Sequence, residues 1–122
     1  MPPVRPQALV ARPTDVPLYL YQGDDFSMTV TVNDANNNPV NLTGYVTASE
    51  IRNLPSDTQA LAVFTTQVST TAPYNMIILN LPAAQSINVV GQAFWDVTMT
   101  DLTGRVTTLA AGEIHAMAEI TR

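Results

Sequence analysis

His115 is the single histidine of this 122-residue chain, and the chain contains neither cysteine nor lysine. Thiolate nucleophiles, Schiff-base amines, Cys-type zinc sites and multi-histidine metal sites are excluded by residue type alone. A Ser-His-Asp arrangement stays formally open, but no Gly-x-Ser-x-Gly elbow occurs to present a serine. Gly23, Gly44, Gly91, Gly104 and Gly112 are far apart, so no glycine-rich loop exists to cradle a phosphate. His115 shares strand parity with Glu113 and Glu119, which makes it a solvent-facing residue. A general base also needs a nucleophile or a substrate pocket beside it.

Two carboxylate patterns invite a cation. Asp34-x-Asn36-x-Asn38 begins like a calcium loop, in which alternate oxygens face the ion. The sixth position, where the bend requires glycine, is Pro39, and the twelfth, where glutamate belongs, is Tyr45. A polar turn is the expected reading. Asp24-Asp25 reads as an acidic turn ahead of a strand, and Asn41-Leu42-Thr43 is a glycosylation sequon with meaning only in a secreted eukaryotic chain. No enzyme, no cofactor and no metal are expected.

Aromatic residues offer binding chemistry instead. Tyr19, Tyr21 and Tyr45 would stack on sugar rings if they shared an exposed face. Tyr19 and Tyr21 oppose Leu18 and Leu20, so one of these pairs faces outward or toward a partner. Trp95 is in phase with Val97 and Met99, which makes it a core residue.

Charge narrows the partners. Five arginines stand against ten acids, a net of −5. Residues 1–16 hold Arg5 and Arg12 against Asp15, a net of +1, while residues 17–121 hold two arginines against nine acids, a net of −7. Displacing counterions from phosphates needs cations that this body lacks, so nucleic acid is not an expected partner. No apolar run approaches the roughly 18 residues of a membrane helix, and the start Met1-Pro2-Pro3-Val4-Arg5-Pro6 has no signal-peptide pattern. A soluble protein made in a cytoplasm is expected, with no membrane partner.

The elements that must position these residues come in two parts. Pro2, Pro3, Pro6, Pro13 and Pro17 fix φ and remove backbone donors, so residues 1–16 read as an extended proline-rich arm, with a neighbouring chain as its natural support. Residues 17–122 read as one β domain. Leu18 to Tyr21, Phe26 to Asn33, Tyr45 to Ile51, Ala60 to Thr66 and Asn75 to Leu81 read as strands. Asp34–Pro39, Asn53–Asp57 and Ser69–Pro73 break them, and Pro82–Ser86 reads as one helical turn with Pro82 near its start. Trp95 to Thr100 alternates apolar with polar, and Asp101-Leu102-Thr103-Gly104 is a hairpin turn. Arg105 to Ala110 returns, and Ile114 to Ile120 forms the last strand. Such spacing predicts an all-β fold, an immunoglobulin-like antiparallel β-sandwich of about seven or eight strands.

Tyr19-Leu20-Tyr21-Gln22-Gly23-Asp24-Asp25-Phe26, the turn with Pro39, and Asn41-Leu42-Thr43-Gly44-Tyr45 leading to Ile51-Arg52 together resemble a family of small phage proteins. Gly91 through Trp95-Asp96-Val97, Asp101 to Gly104, Leu109, Gly112-Glu113 and Ile120-Thr121-Arg122 continue the likeness over residues 17–122. The family is that of the immunoglobulin-like N-terminal domains of phage baseplate upper proteins and short virion proteins encoded near tail and fibre genes. The resemblance implies a non-enzymatic structural protein of a tailed-phage particle, made in the bacterial cytoplasm and incorporated in the virion. It would be an assembly or adaptor module at the tail, baseplate or fibre attachment site. The family's helical or fibrous C-terminal extension has no counterpart within the 122 residues, which opens a capsid-decoration or head-fibre-anchoring role. Other virion proteins and further copies of the chain are the implied partners, with Arg5, Arg12, Tyr19, Tyr21 and Tyr45 as expected contact residues. A carbohydrate-binding module for host-surface recognition is the alternative from another class.

Overall fold

The structure, a computed structural model, describes residues 14–118. Arg5, Arg12 and the arm up to Pro13 lie outside the described residues, as do Glu119–Arg122, including Ile120 of the expected last strand.

The described chain is all-β. Its strands are β1 (Thr14–Asp15), β2 (Leu18–Tyr21), β3 (Phe26–Thr31), β4 (Val46–Arg52), β5 (Ala62–Val68), β6 (Met76–Leu81), β7 (Gly91–Thr100) and β8 (Val106–Met117), with one helical turn, α1 (Ala83–Ser86), between β6 and β7. They join in one mixed sheet in the order β1-β8-β7-β4-β5-β6-β3, with β2 also on β8. The sheet folds over at β5. Ala62, Val63 and Phe64 pair with β4, whereas Thr65 to Val68 pair with β6, so one strand passes from one layer to the other. The curled sheet is nearly barrel-like.

Alternation explains what each layer buries. Ile77, Leu79 and Leu81 of β6, Ile51 of β4, and Trp95, Val97 and Met99 of β7 point inward and are buried. Trp95 sits at the centre as expected, edge-on to Phe64 at 6.1 Å between ring centroids, with Phe26 next at 6.3 Å from Phe64. Its indole N–H is satisfied by the Val16 carbonyl at 2.8 Å. Burying an aromatic of this size without that bond would strand a donor.

The structure differs from the sequence expectations at two places. First, antiparallel pairing was expected throughout, but β1 and β2 run parallel to β8. Side-chain alternation has the same period in both arrangements and carries no direction. Second, β8 is one strand of twelve residues, where Arg105 to Ala110 and Ile114 to Ile120 read as two. Gly112 is there for clearance, since a Cβ at this position would lie 2.2 Å from the Val16 carbonyl oxygen. A bulge at Leu109, between Thr108 and Ala110, puts both Leu109 and Ala110 in the core. The sheet takes up the chain already at Thr14. Val16 continues that hold, its N–H bonded to the Ala111 carbonyl at 2.9 Å.

The turns follow their composition. Gly104 adopts φ 91° and Asn37 φ 66°, the left-handed geometry expected of those residues. Asp101 Oδ1 accepts from the Thr103 N–H, the Thr103 hydroxyl and the Arg105 N–H, closing the β7–β8 hairpin.

Candidate interaction face

The outward side of β2, β8, β7 and β4 carries an exposed aromatic stack and a charged cluster. Tyr19 and Tyr21 alternate with buried Leu18 and Leu20, so both tyrosines face outward. The parallel register sets Tyr19 beside His115 and Tyr21 beside Met117, and on the other side of β8 His115 faces Gln92. Tyr19 stacks on the His115 imidazole at 5.2 Å with 17° between the planes. His115 Nε2 lies 3.3 Å from Glu113 Oε1. The result is an exposed aromatic ledge with a carboxylate at its end. Among the described residues no hydroxyl is hydrogen-bonded to His115.

Two residues along the same face lies a charged cluster. Glu50 and Arg52 share outward parity on β4, and Asp96 stands opposite Glu50 on β7. Arg52 pairs with Glu50 and reaches Asp96 at 4.0 Å. Burial pushes the Asp96 carboxyl above its ordinary value of 3.8, with the Arg52 guanidinium pulling it down and the Glu50 charge pushing it further up. Arg52 Nε is buried and without a hydrogen-bond partner among the described residues. These groups rim a cleft of about 450 Å³ whose apolar walls are Phe94, Trp95 and Pro55, with Asp15 and Glu113 at its edge. Parity alone could have joined Glu50, Arg52 and Asp96. Their meeting was missed because it needs the β4–β7 pairing, which no local signal reveals.

The sequence-predicted residues separate. Tyr19 and Tyr21 come together, and His115 joins them. Tyr45 does not: it is half-buried against the core next to Val46, which pairs with Thr100. Tyr19 is level with Gln92, eight residues along β7, or roughly 26 Å away at the usual rise of a strand. The three tyrosines therefore form no common platform. Arg5 and Arg12 lie outside the described residues.

The acidic turns are structural. Asp34 Oδ1 accepts from the N–H groups of Asn36 and Asn38, both at 2.9 Å, so its carboxylate folds into its own turn. Asp25 Oδ1 accepts from the Ala83 N–H at 2.7 Å at the start of α1. Fully buried Ser86 donates to the Asp24 carbonyl and accepts from the Gly23 N–H, locking the β2–β3 turn against α1. Asn41 Oδ1 accepts from the Thr43 N–H and hydroxyl. Among the described residues no three His, Asp or Glu side chains are grouped to hold a metal ion, and no helix is long and apolar enough to cross a membrane.

No known protein family and no curated protein matches the chain.

Proposed function

We propose that the protein is a non-enzymatic structural module of a tailed-phage particle, an adaptor at the tail, baseplate or fibre attachment site held through its N-terminal arm. One observation carries this reading. The chain preceding β2 is built into the sheet by parallel pairing on β8, with the Val16 carbonyl bonded to the central tryptophan. Force applied along residues 1–13 would thus be passed to the core, as an anchoring strap requires.

An immunoglobulin-like sandwich fits the connectivity. The layer β2-β8-β7-β4 and the layer β6-β3 face each other, β5 contributes to both, and the first strand runs parallel to the last. The phage assignment itself rests on the resemblance of the turn and core motifs.

Cosedimentation with separately purified tails and capsids of the encoding phage tests the proposal. Association with tails, abolished by deleting residues 1–12, is the expected result. Association with capsids would favour a decoration or head-fibre-anchoring role, and association with neither would refute the reading. The exposed Tyr19–His115 stack beside Tyr21, Gln92 and Glu113 favours one second reading, recognition of a host-surface glycan. Binding on a glycan array that disappears in Tyr19→Ala would support it.

A further inference from the structure

The two layers do not close on each other at β3. Phe26, Met28 and Val30 point inward yet stay only half-buried, unlike their counterparts on β6. Between them and β8 lies a groove of about 300 Å³ walled by Val16, Met28, Val30, Val32, Leu109 and Ala110. Among the described residues no ionisable side chain lines it. Among the described residues β3 pairs only with β6, and the N–H of Val32, just after it, points to that side, toward the Asn75 carbonyl. By alternation the N–H and C=O groups of Ser27, Thr29 and Thr31 face the groove side with no backbone partner among the described residues. An apolar groove with a free ladder edge takes an extended, apolar segment.

We infer that this groove receives residues 8–11 of a second copy, Ala8-Leu9-Val10-Ala11, added as a strand along the free edge of β3. The inference rests on the proposed arm-held assembly and names the surface that receives the arm. Three observations favour that occupant. The only apolar run among the thirteen residues before Thr14 that lies between prolines, here Pro6 and Pro13, is this one. Both flanking prolines stand outside the pairing run, where a missing donor costs nothing.

The third observation argues against the same copy. Thr14 pairs with Ala110, Leu18 with Ile114 and Tyr21 with Met117, always the same offset. Continuing that register backward would bring Arg12 into phase with Val16, Leu18 and Leu20, whose side chains point inward. A guanidinium would then enter a groove lined, among the described residues, by no carboxylate, and its charge would be buried unpaired. A second copy is free of that register and can seat Leu9 and Ala11 without Arg12.

Because the chain has no cysteine, the contact can be tested by cross-linking. A tagged chain carrying Ala8→Cys is mixed with an untagged chain carrying Thr29→Cys and treated with a short bis-maleimide. The expected product is a tagged–untagged dimer, lost when Leu9→Asp and Ala11→Asp are added to the tagged chain. Yield no greater than with Leu54→Cys, in the turn after β4, overturns the inference. So does a chain carrying both cysteines that links only within itself, which would seat the arm in its own groove. Light scattering separates this failure from failure of the proposed function. If deleting residues 1–12 dissociates an oligomer while the Thr29 link is absent, the groove is wrong and the arm-held reading stands. If the full chain is monomeric and joins no particle, both fall.

Discussion

Replacing Gly112 by alanine should lift the Val16 segment off β8 while leaving the rest of the sheet folded. The new Cβ would sit 2.2 Å from the Val16 carbonyl oxygen and 2.7 Å from its carbon. Both are backbone atoms, so no rotamer change relieves the clash, and the Val16 segment must move off β8. Three things go with it. The Val16 N–H loses the Ala111 carbonyl and Trp95 Nε1 loses the Val16 carbonyl, at about 0.5–1.5 kcal/mol each. Val16, packed on the core, loses part of the roughly 1.5–3 kcal/mol that full burial of such a side chain is worth. The expected cost is about 2–5 kcal/mol, a large fraction of the roughly 5–15 kcal/mol by which a domain is stable.

Urea titration followed by tryptophan fluorescence measures it directly, since the chain has one tryptophan. Gly112→Ala should lower the midpoint and shift native emission to the red as water reaches the indole. Hydrogen exchange should quicken at Val16 and at the amides of β2 while those of β6 stay protected. A midpoint within the equivalent of 0.5 kcal/mol of the parent, typical of neutral surface changes, with unchanged exchange at Val16, would refute the close-approach account of Gly112.

Other substitutions test the remaining parts. Ser86→Ala removes an acceptor from the Gly23 N–H and a donor to the Asp24 carbonyl, and should cost about 1–3 kcal/mol in urea unfolding. Asp96→Asn should raise stability at pH 7 and change it little at pH 3. The native pKa is raised, so the folded state holds the proton more tightly, and stability falls as pH climbs from 3.8 through the raised value. Asp101 runs the other way. Its carboxylate is held below 3.8, first by the Thr103 hydroxyl and then by the Arg105 N–H, so its contribution is present above that pH and lost as pH falls. Asp101→Asn should therefore lower the neutral-pH midpoint and flatten the acid limb of the stability profile. A double-mutant cycle of Tyr19→Ala and His115→Ala should give a coupling near the low end of about 0.5–1.5 kcal/mol, because the stack is open to water.

Much of the layer structure was legible in the residues, and the reason is local. β3 and β7 alternate cleanly, so their buried faces could be read one strand at a time, and Trp95 was placed by its phase with Val97. Gly104, Asn37 and Pro82 each mark backbone geometry that few other residues tolerate. What depends on pairing was hidden. Thr14 and Asp15 form a two-residue strand between prolines, too short to show any period. Gly112 looks like a break unless Val16 is known to lie over it. The contact face divides the same way: Tyr19 and Tyr21 share a side by alternation, but Tyr45 is removed from them by the β4–β7 register. Asp25 and Ala83, 58 residues apart, show why an acidic pair in sequence was no guide to a cation.

The N-terminal segment links the two surfaces that have been distinguished. On its outward side β2 supplies Tyr19 and Tyr21 to the exposed face, and on its inward side Val16, Leu18 and Leu20 enter the core. One wall of the β3 groove is also Val16, so on the inferred docking the residue next to β1 would help to form the seat for an arriving arm. An occupied groove would cover Val16 and slow the opening of β1 from β8, and a firm Val16 would in turn keep the groove in shape. Arm docking and N-terminal stability should then be reciprocal, as linkage requires of two events sharing a residue. Gly112→Ala, which displaces Val16, should weaken self-association even though residue 112 lies outside the groove wall. Unfolding that loosens the arm and assembly that seats it would thus respond to the same substitution.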